Sequence, residues 1–89
     1  MKRAKVIITG DVQGVFFRHH AEKEANKLGL SGWCRNEPDG SVFIIIEGNK
    51  KSVDKYIKWC MQGSPVSTVE NVEVMEEKYT GTEIGFEIR

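Results

Sequence analysis

Residues 4–9 (Ala-Lys-Val-Ile-Ile-Thr) alternate with the period of a strand, partly apolar on both sides, and Gly10 stops the alternation. A connection containing Gly14 follows, and from about Val15 the period changes. Phe17, Ala21, Ala25 and Leu28 then recur at helical spacing, with Glu22, Lys23, Glu24 and Lys27 between them and Gly29 as a C-terminal stop. A second strand is expected over residues 31–36 and a third over residues 41–47. The turn composition Glu37-Pro38-Asp39-Gly40 joins them as a β-hairpin. Gly48 and Asn49 end the hairpin, and Asn49 is the N-cap of a second helix whose apolar side carries Val53, Tyr56, Ile57 and Cys60. Gly63-Ser64-Pro65 breaks that pattern. Residues 69–78 alternate again, and Phe86-Glu87-Ile88 forms a short last strand.

The predicted order is βαββαβ with an extra short C-terminal strand. This is an α+β sandwich of ferredoxin-like type, two helices on one face of a mainly antiparallel sheet. No repeat or linker subdivides the chain, so residues 1–89 are expected to form one domain. Enzymes, RNA-binding modules and regulatory domains all share such an arrangement, so function has to be sought in a site.

Composition narrows the search. With 89 residues and 39% hydrophobic content, the core is modest and one shallow site is expected. Lys+Arg and Asp+Glu each number 13, so no global field draws the chain to nucleic acid or to an anionic membrane, and an anion must be caught locally. The longest apolar run, residues 42–46, is too short to cross a bilayer, and Met1-Lys2-Arg3 precedes no signal-peptide core. The expectation is a soluble cytoplasmic protein. Cys34 and Cys60 form no CxxC pair and no metal-ligand cluster, and whether they are free or disulfide-bonded stays open at this level.

The candidate chemistry lies in Gly10-Asp11-Val12-Gln13-Gly14-Val15-Phe16-Phe17-Arg18, which joins a strand to the start of a helix. Unpaired N–H groups and the positive helix end both favour an anion there. Gly10 and Gly14 permit positive φ or close approach of backbone to a ligand, and Arg18 adds a planar guanidinium able to grip two phosphate oxygens. Spacing alone does not separate this cradle from an ordinary turn with Arg18 paired to Glu22, and the ending of a nucleotide P-loop is missing.

The literal string resembles the GxVQGVxFR signature of the acylphosphatase family at every specified position. The similarity continues through Gly29, Gly32-Trp33, Asn36, Asp39-Gly40-Ser41-Val42, Gly48, Gly63-Ser64-Pro65 and Phe86-Glu87-Ile88, covering essentially the whole chain. The resemblance implies metal-free and cofactor-free hydrolysis of acyl phosphates, a small-molecule class, to a carboxylate and inorganic phosphate. It implies that Arg18 and Asn36 are the catalytic pair, and that backbone N–H groups of Gln13, Gly14, Val15, Phe16, Phe17 and Arg18 bind the phosphoryl oxygens. Asn36 positions the attacking water. Inorganic phosphate is then product and inhibitor, and a monomer is expected. Similar domains also stand at the front of larger carbamoyl-transfer enzymes, and a free-standing enzyme is the expectation here.

Other residues compete for attention. His19 and His20 are adjacent on a helix, point about 100° apart and cannot converge on one ligand. Trp33, Phe43, Tyr56 and Trp59 could stack bases, but their periodicity places most of them in the core, and no RNP-like string or basic excess accompanies them. A hydrolase is therefore preferred over a phosphate-sensing domain or a nucleic-acid module. Ser64 and Ser67 depart from the family, where a proline and an alanine are common, which puts packing after the second helix in question.

Overall fold

The structure, a computed structural model, describes residues 1–89. In chain order the elements are β1 (Lys2–Asp11), α1 (Phe17–Lys27), β2 (Ser31–Asn36), β3 (Val42–Gly48), α2 (Lys50–Gln62), β4 (Thr68–Glu77) and β5 (Phe86–Ile88). The sheet runs β4-β1-β3-β2-β5, antiparallel except where β5 pairs parallel to β2. The expected α+β sandwich with an extra terminal strand is thus observed.

Strand alternation builds the core. Ala4, Val6 and Ile8 of β1, Val42, Ile44 and Ile46 of β3, and Cys34 of β2 share one face and are fully buried. The register sets Val6 opposite Ile44 and Ile8 opposite Val42. Onto this face α1 lays Phe17, Ala21 and Ala25, and α2 lays Val53, Tyr56, Ile57 and Cys60. Tyr56 would bring a polar atom into this apolar layer, but its hydroxyl donates to the Ala21 carbonyl at 3.0 Å, which satisfies it and links the two helices. Asn49 caps α2 as expected, its side chain accepting from the Lys51 N–H at 3.0 Å.

Three boundaries differ from the sequence reading. Gly10 does not stop β1. The strand continues to Asp11 through a bulge between Thr9 and Gly10, and Gly10 is required because a Cβ there would stand 2.1 Å from the Thr68 carbonyl oxygen. The close approach is to β4, not to a ligand. Helix α1 begins at Phe17, since Gly14 (φ 74°) and Phe16 (φ 59°) are left-handed and keep the preceding turn out of the helix. The third strand begins at Val42, because Ser41 belongs to the turn closed by the Asp39 carboxylate, which accepts from the Ser41 N–H and hydroxyl at 2.9 and 2.6 Å.

The aromatic residues also divide differently from expectation. Tyr56 is buried and Trp59 packs half-buried beside it, but Trp33 and Phe43 lie on the sheet face away from the helices. A two-layer sandwich covers only one sheet face, and the alternation that sends Cys34 and Ile44 inward sends Trp33 and Phe43 outward. There they stack at 5.3 Å, with the Arg35 guanidinium 5.2 and 5.1 Å from the two rings. After α2, Ser67 accepts from the Ser64 N–H at 2.9 Å and donates to the Ser64 carbonyl at 3.0 Å, so the two departures from the family pattern close one turn together.

Beyond β4, the chain is tied back through Arg3. Its guanidinium meets Glu47 at 3.1 Å, Glu83 at 3.2 Å and Glu77 at 3.2 Å, while the Glu83 N–H donates to Glu47 at 3.1 Å. This largely shielded charge cluster ties down the connection that carries the chain from β4 at one sheet edge to β5, beside β2, at the other. Cys34 and Cys60 are free thiols, both buried.

Candidate active site

Between β1 and α1 the chain is anchored at both ends by apolar side chains, Val12 and Phe17, each 1% exposed. The turn between them packs Val15 against the core and leaves Phe16 exposed. It holds two left-handed residues, Gly14 and Phe16, and left-handed residues in a turn are the kind of backbone that gathers successive N–H groups around an anion. No backbone carbonyl or capping side chain accepts from the N–H groups of residues 13–18, and the first helical bond is from His20 N–H to the Phe16 carbonyl at 3.2 Å. A helix N-terminus is therefore presented bare, with the positive end of its dipole aimed at the same space.

That space is a cavity of about 200 Å³. Of the residues that line it, Val12 and Phe17 are buried, Arg18 and Asn36 are half-buried, and Gly14, Phe16 and His19 are exposed at its mouth. Arg18 is half-buried and forms no ion pair, with Glu22 or with any other carboxylate. Its charge is felt in the core below: burial pushes the Cys34 thiol up to about 12, against the pull of Arg18. An unneutralised guanidinium beside unpaired N–H groups makes a strongly anion-seeking corner.

Asn36 ends β2 on the helix-facing side, two residues beyond Cys34 and paired in register with Val42. Its Oδ1 is buried and has no hydrogen-bond partner. Such an atom is costly unless something in the cavity donates to it.

Gln13 is the joint between the two halves. Its side-chain Nε2 donates to the Glu37 carbonyl at 2.8 Å and to the Ser41 carbonyl at 2.9 Å, the two ends of the turn that follows Asn36. The loop carrying the N–H groups and the strand end carrying Asn36 are thereby held in one register.

The structure brings Gly14, Phe16, Phe17, Arg18 and Asn36 to one cavity; Gln13 and Val15 do not line it. Sequence reasoning missed Val12 and His19, which do. No periodicity signals His19, because Phe16, the residue it meets at the cavity, lies outside the helix in a left-handed conformation. His20 stays outside, and no three His, Cys, Asp or Glu side chains converge to hold a metal ion.

Fold and cavity define a small α+β sandwich with a cavity lined by unpaired hydrogen-bond donors. The acylphosphatase family model matches residues 4–88. An acylphosphatase of Rubrobacter xylanophilus is 49% identical over 88 residues, 99% of this chain and 80% of the relative; one of Aeropyrum pernix is 49% identical over 98% of this chain and 87% of its own. The crystal structure of acylphosphatase from Bacillus subtilis superposes with a TM-score of 0.95 at 35% identity, over 100% of this chain and 99% of that one. The chain belongs to the acylphosphatase family, and the enzyme class expected from the signature, acyl phosphate hydrolysis, is borne out at that level. No helix is long and apolar enough to cross a membrane.

Proposed function

We propose that residues 1–89 work as one catalytic domain that hydrolyses acyl phosphates by direct attack of a water held by Asn36 on a phosphoryl group held by Arg18 and the N–H groups of residues 13–18. The observation that carries this reading is that Asn36, whose buried Oδ1 has no hydrogen-bond partner, lines the same cavity as the unpaired loop and the unpaired Arg18. One set of groups can only donate, which suits phosphoryl oxygens. The other offers an acceptor, which suits the hydrogens of water.

In the reaction the water oxygen bonds to phosphorus, the bond from phosphorus to the acyl oxygen breaks, and the carboxylate leaves. Asn36 orients the water but is too weak a base to deprotonate it, so the proton passes to a phosphate oxygen. Phosphoryl transfer asks little covalent work of the protein and rewards position and fixed positive charge. A carboxylate is already a good leaving group, so this site needs no metal, cofactor or protein nucleophile for acyl phosphates, whereas alkyl phosphates would defeat it. Inorganic phosphate fits the same donors and inhibits competitively. The protein works as a cytoplasmic monomer and binds neither nucleic acid nor membrane, in keeping with its balanced charge of 13 basic and 13 acidic residues.

With benzoyl phosphate in excess chelator, the anhydride absorbance should decay at an enzyme-dependent rate. Arg18→Ala should lower turnover by roughly 10² or more and weaken phosphate inhibition in parallel. A requirement for added metal, or an Arg18→Ala enzyme with full activity, would overturn the mechanism.

A further inference from the structure

Phe16 is placed where folding gains nothing from it. Its backbone is left-handed, φ 59° and ψ 23°, a region that costs any bulky L-residue stability, and it is the only non-glycine residue of the chain with positive φ. Its ring is 71% exposed, so it recovers little of that cost by burial. It nevertheless lines the cavity, and its ring meets that of His19 at 6.0 Å between centroids, tilted by 47°. Strain held at a cavity mouth with no return in packing points to a use in the bound state.

The layout of the cavity says which part of a substrate meets these rings. The donors, Arg18 and the loop N–H groups, take the phosphoryl half, and the buried side chains of Val12 and Phe17 close the cavity on the core side. The acyl half therefore leaves on the exposed side, where Phe16 and His19 carry the only exposed side chains of the lining. We infer that Phe16, backed by His19, is a shelf for the acyl group and makes this enzyme selective for acyl phosphates whose acyl part is aromatic or otherwise flat and apolar, over small ones such as acetyl phosphate. This rests on the phosphoryl assignment proposed above. The selectivity comes from ring-on-ring contact and apolar cover outside the chemical step, so it should appear in the ratio of kcat/KM between substrates.

The test compares kcat/KM for benzoyl phosphate and acetyl phosphate in the wild type, Phe16→Gly and Phe16→Tyr, with Tm for each. Any effect of the altered loop backbone common to both substrates cancels in the ratio. In Phe16→Gly the benzoyl-to-acetyl ratio should fall roughly threefold to tenfold, the worth of one aromatic contact, without a fall in Tm; Phe16→Tyr should keep the wild-type ratio. An unchanged ratio in Phe16→Gly would overturn the shelf while leaving the phosphoryl assignment intact. A clear loss of Tm in Phe16→Gly would make the ring a structural element and overturn it too. A wild type that hydrolyses neither substrate would refute the underlying assignment and the shelf with it.

Discussion

Gln13 offers the sharpest test of how the two halves of the site are joined. Both amide hydrogens of its side chain are spent, on the carbonyls of Glu37 at 2.8 Å and Ser41 at 2.9 Å. Gln13→Ala removes both bonds. Each carbonyl keeps a second donor, the Gly40 N–H for Glu37 and the Glu37 N–H for Ser41, so no buried acceptor is stranded. The loss should therefore stay near the net worth of two ordinary hydrogen bonds, about 2 kcal/mol, or roughly 8–16 °C in Tm for a domain of this size. Gln13→Glu keeps the length but turns an acceptor toward two acceptors, and at neutral pH it should be at least as destabilising as Gln13→Ala. Catalysis should suffer beyond stability, because the loop N–H groups and Asn36 lose their common register, and a displacement of about 1 Å can cost up to 10² in rate. Thermal unfolding and steady-state hydrolysis of benzoyl phosphate at 25 °C, where the variant remains folded, read the two effects separately. A Gln13→Ala protein with wild-type Tm would refute the energetic reasoning, and one with lowered Tm but unchanged kcat would show that the joint serves folding alone.

The core thiols should be inert. Burial holds Cys34 at about 12 and pushes Cys60 up as well, so a thiol reagent should label neither in the native protein near neutral pH and both after unfolding; rapid native labelling would contradict their placement. The Arg3 cluster should give the protein an acid limb. Burial works to raise the Glu47 carboxyl, but the Glu83 N–H and Arg3 outweigh it and hold it below its ordinary value of 4.5. A depressed folded value means stability that is present above pH 4.5 and is lost as pH falls through the folded value. Chemical denaturation against pH should thus show a loss below that point which is shallower in Glu47→Gln, and identical slopes would contradict it.

Periodicity made most of this fold legible. The apolar positions of β1, β3 and α2 named the core because one covered sheet face imposes a period of two and a packed helix one of 3.6. The same logic misplaced Trp33 and Phe43, since alternation says that two faces exist but not which one the helices cover; here hydrophobic character on the outer face is shared with Arg35 rather than with a second layer. Gly10 was flagged for positive φ or a close approach to a ligand; it has positive φ, and the close approach is that of β4, a contact 58 residues away in the chain, Gly10 to Thr68. In the site, Arg18 and Asn36 were legible only through the literal signature. Their convergence depends on β2 lying beside the N-terminus of α1. The Gln13 side chain was hidden for another reason: nothing in a string of residues shows that an amide points back to a hairpin.

The division of labour between the loop and Asn36 can be read from one variant. In Asn36→Ala the donors proposed to hold the phosphoryl group are untouched, while the acceptor proposed for water is gone. The expected result is a fall in kcat for benzoyl phosphate of roughly 10² or more with the inhibition constant for inorganic phosphate within about twofold of wild type. An Asn36→Ala enzyme with undiminished kcat, or one that loses phosphate inhibition in proportion to its activity, would contradict the assignment of water to Asn36 and of phosphate to the loop.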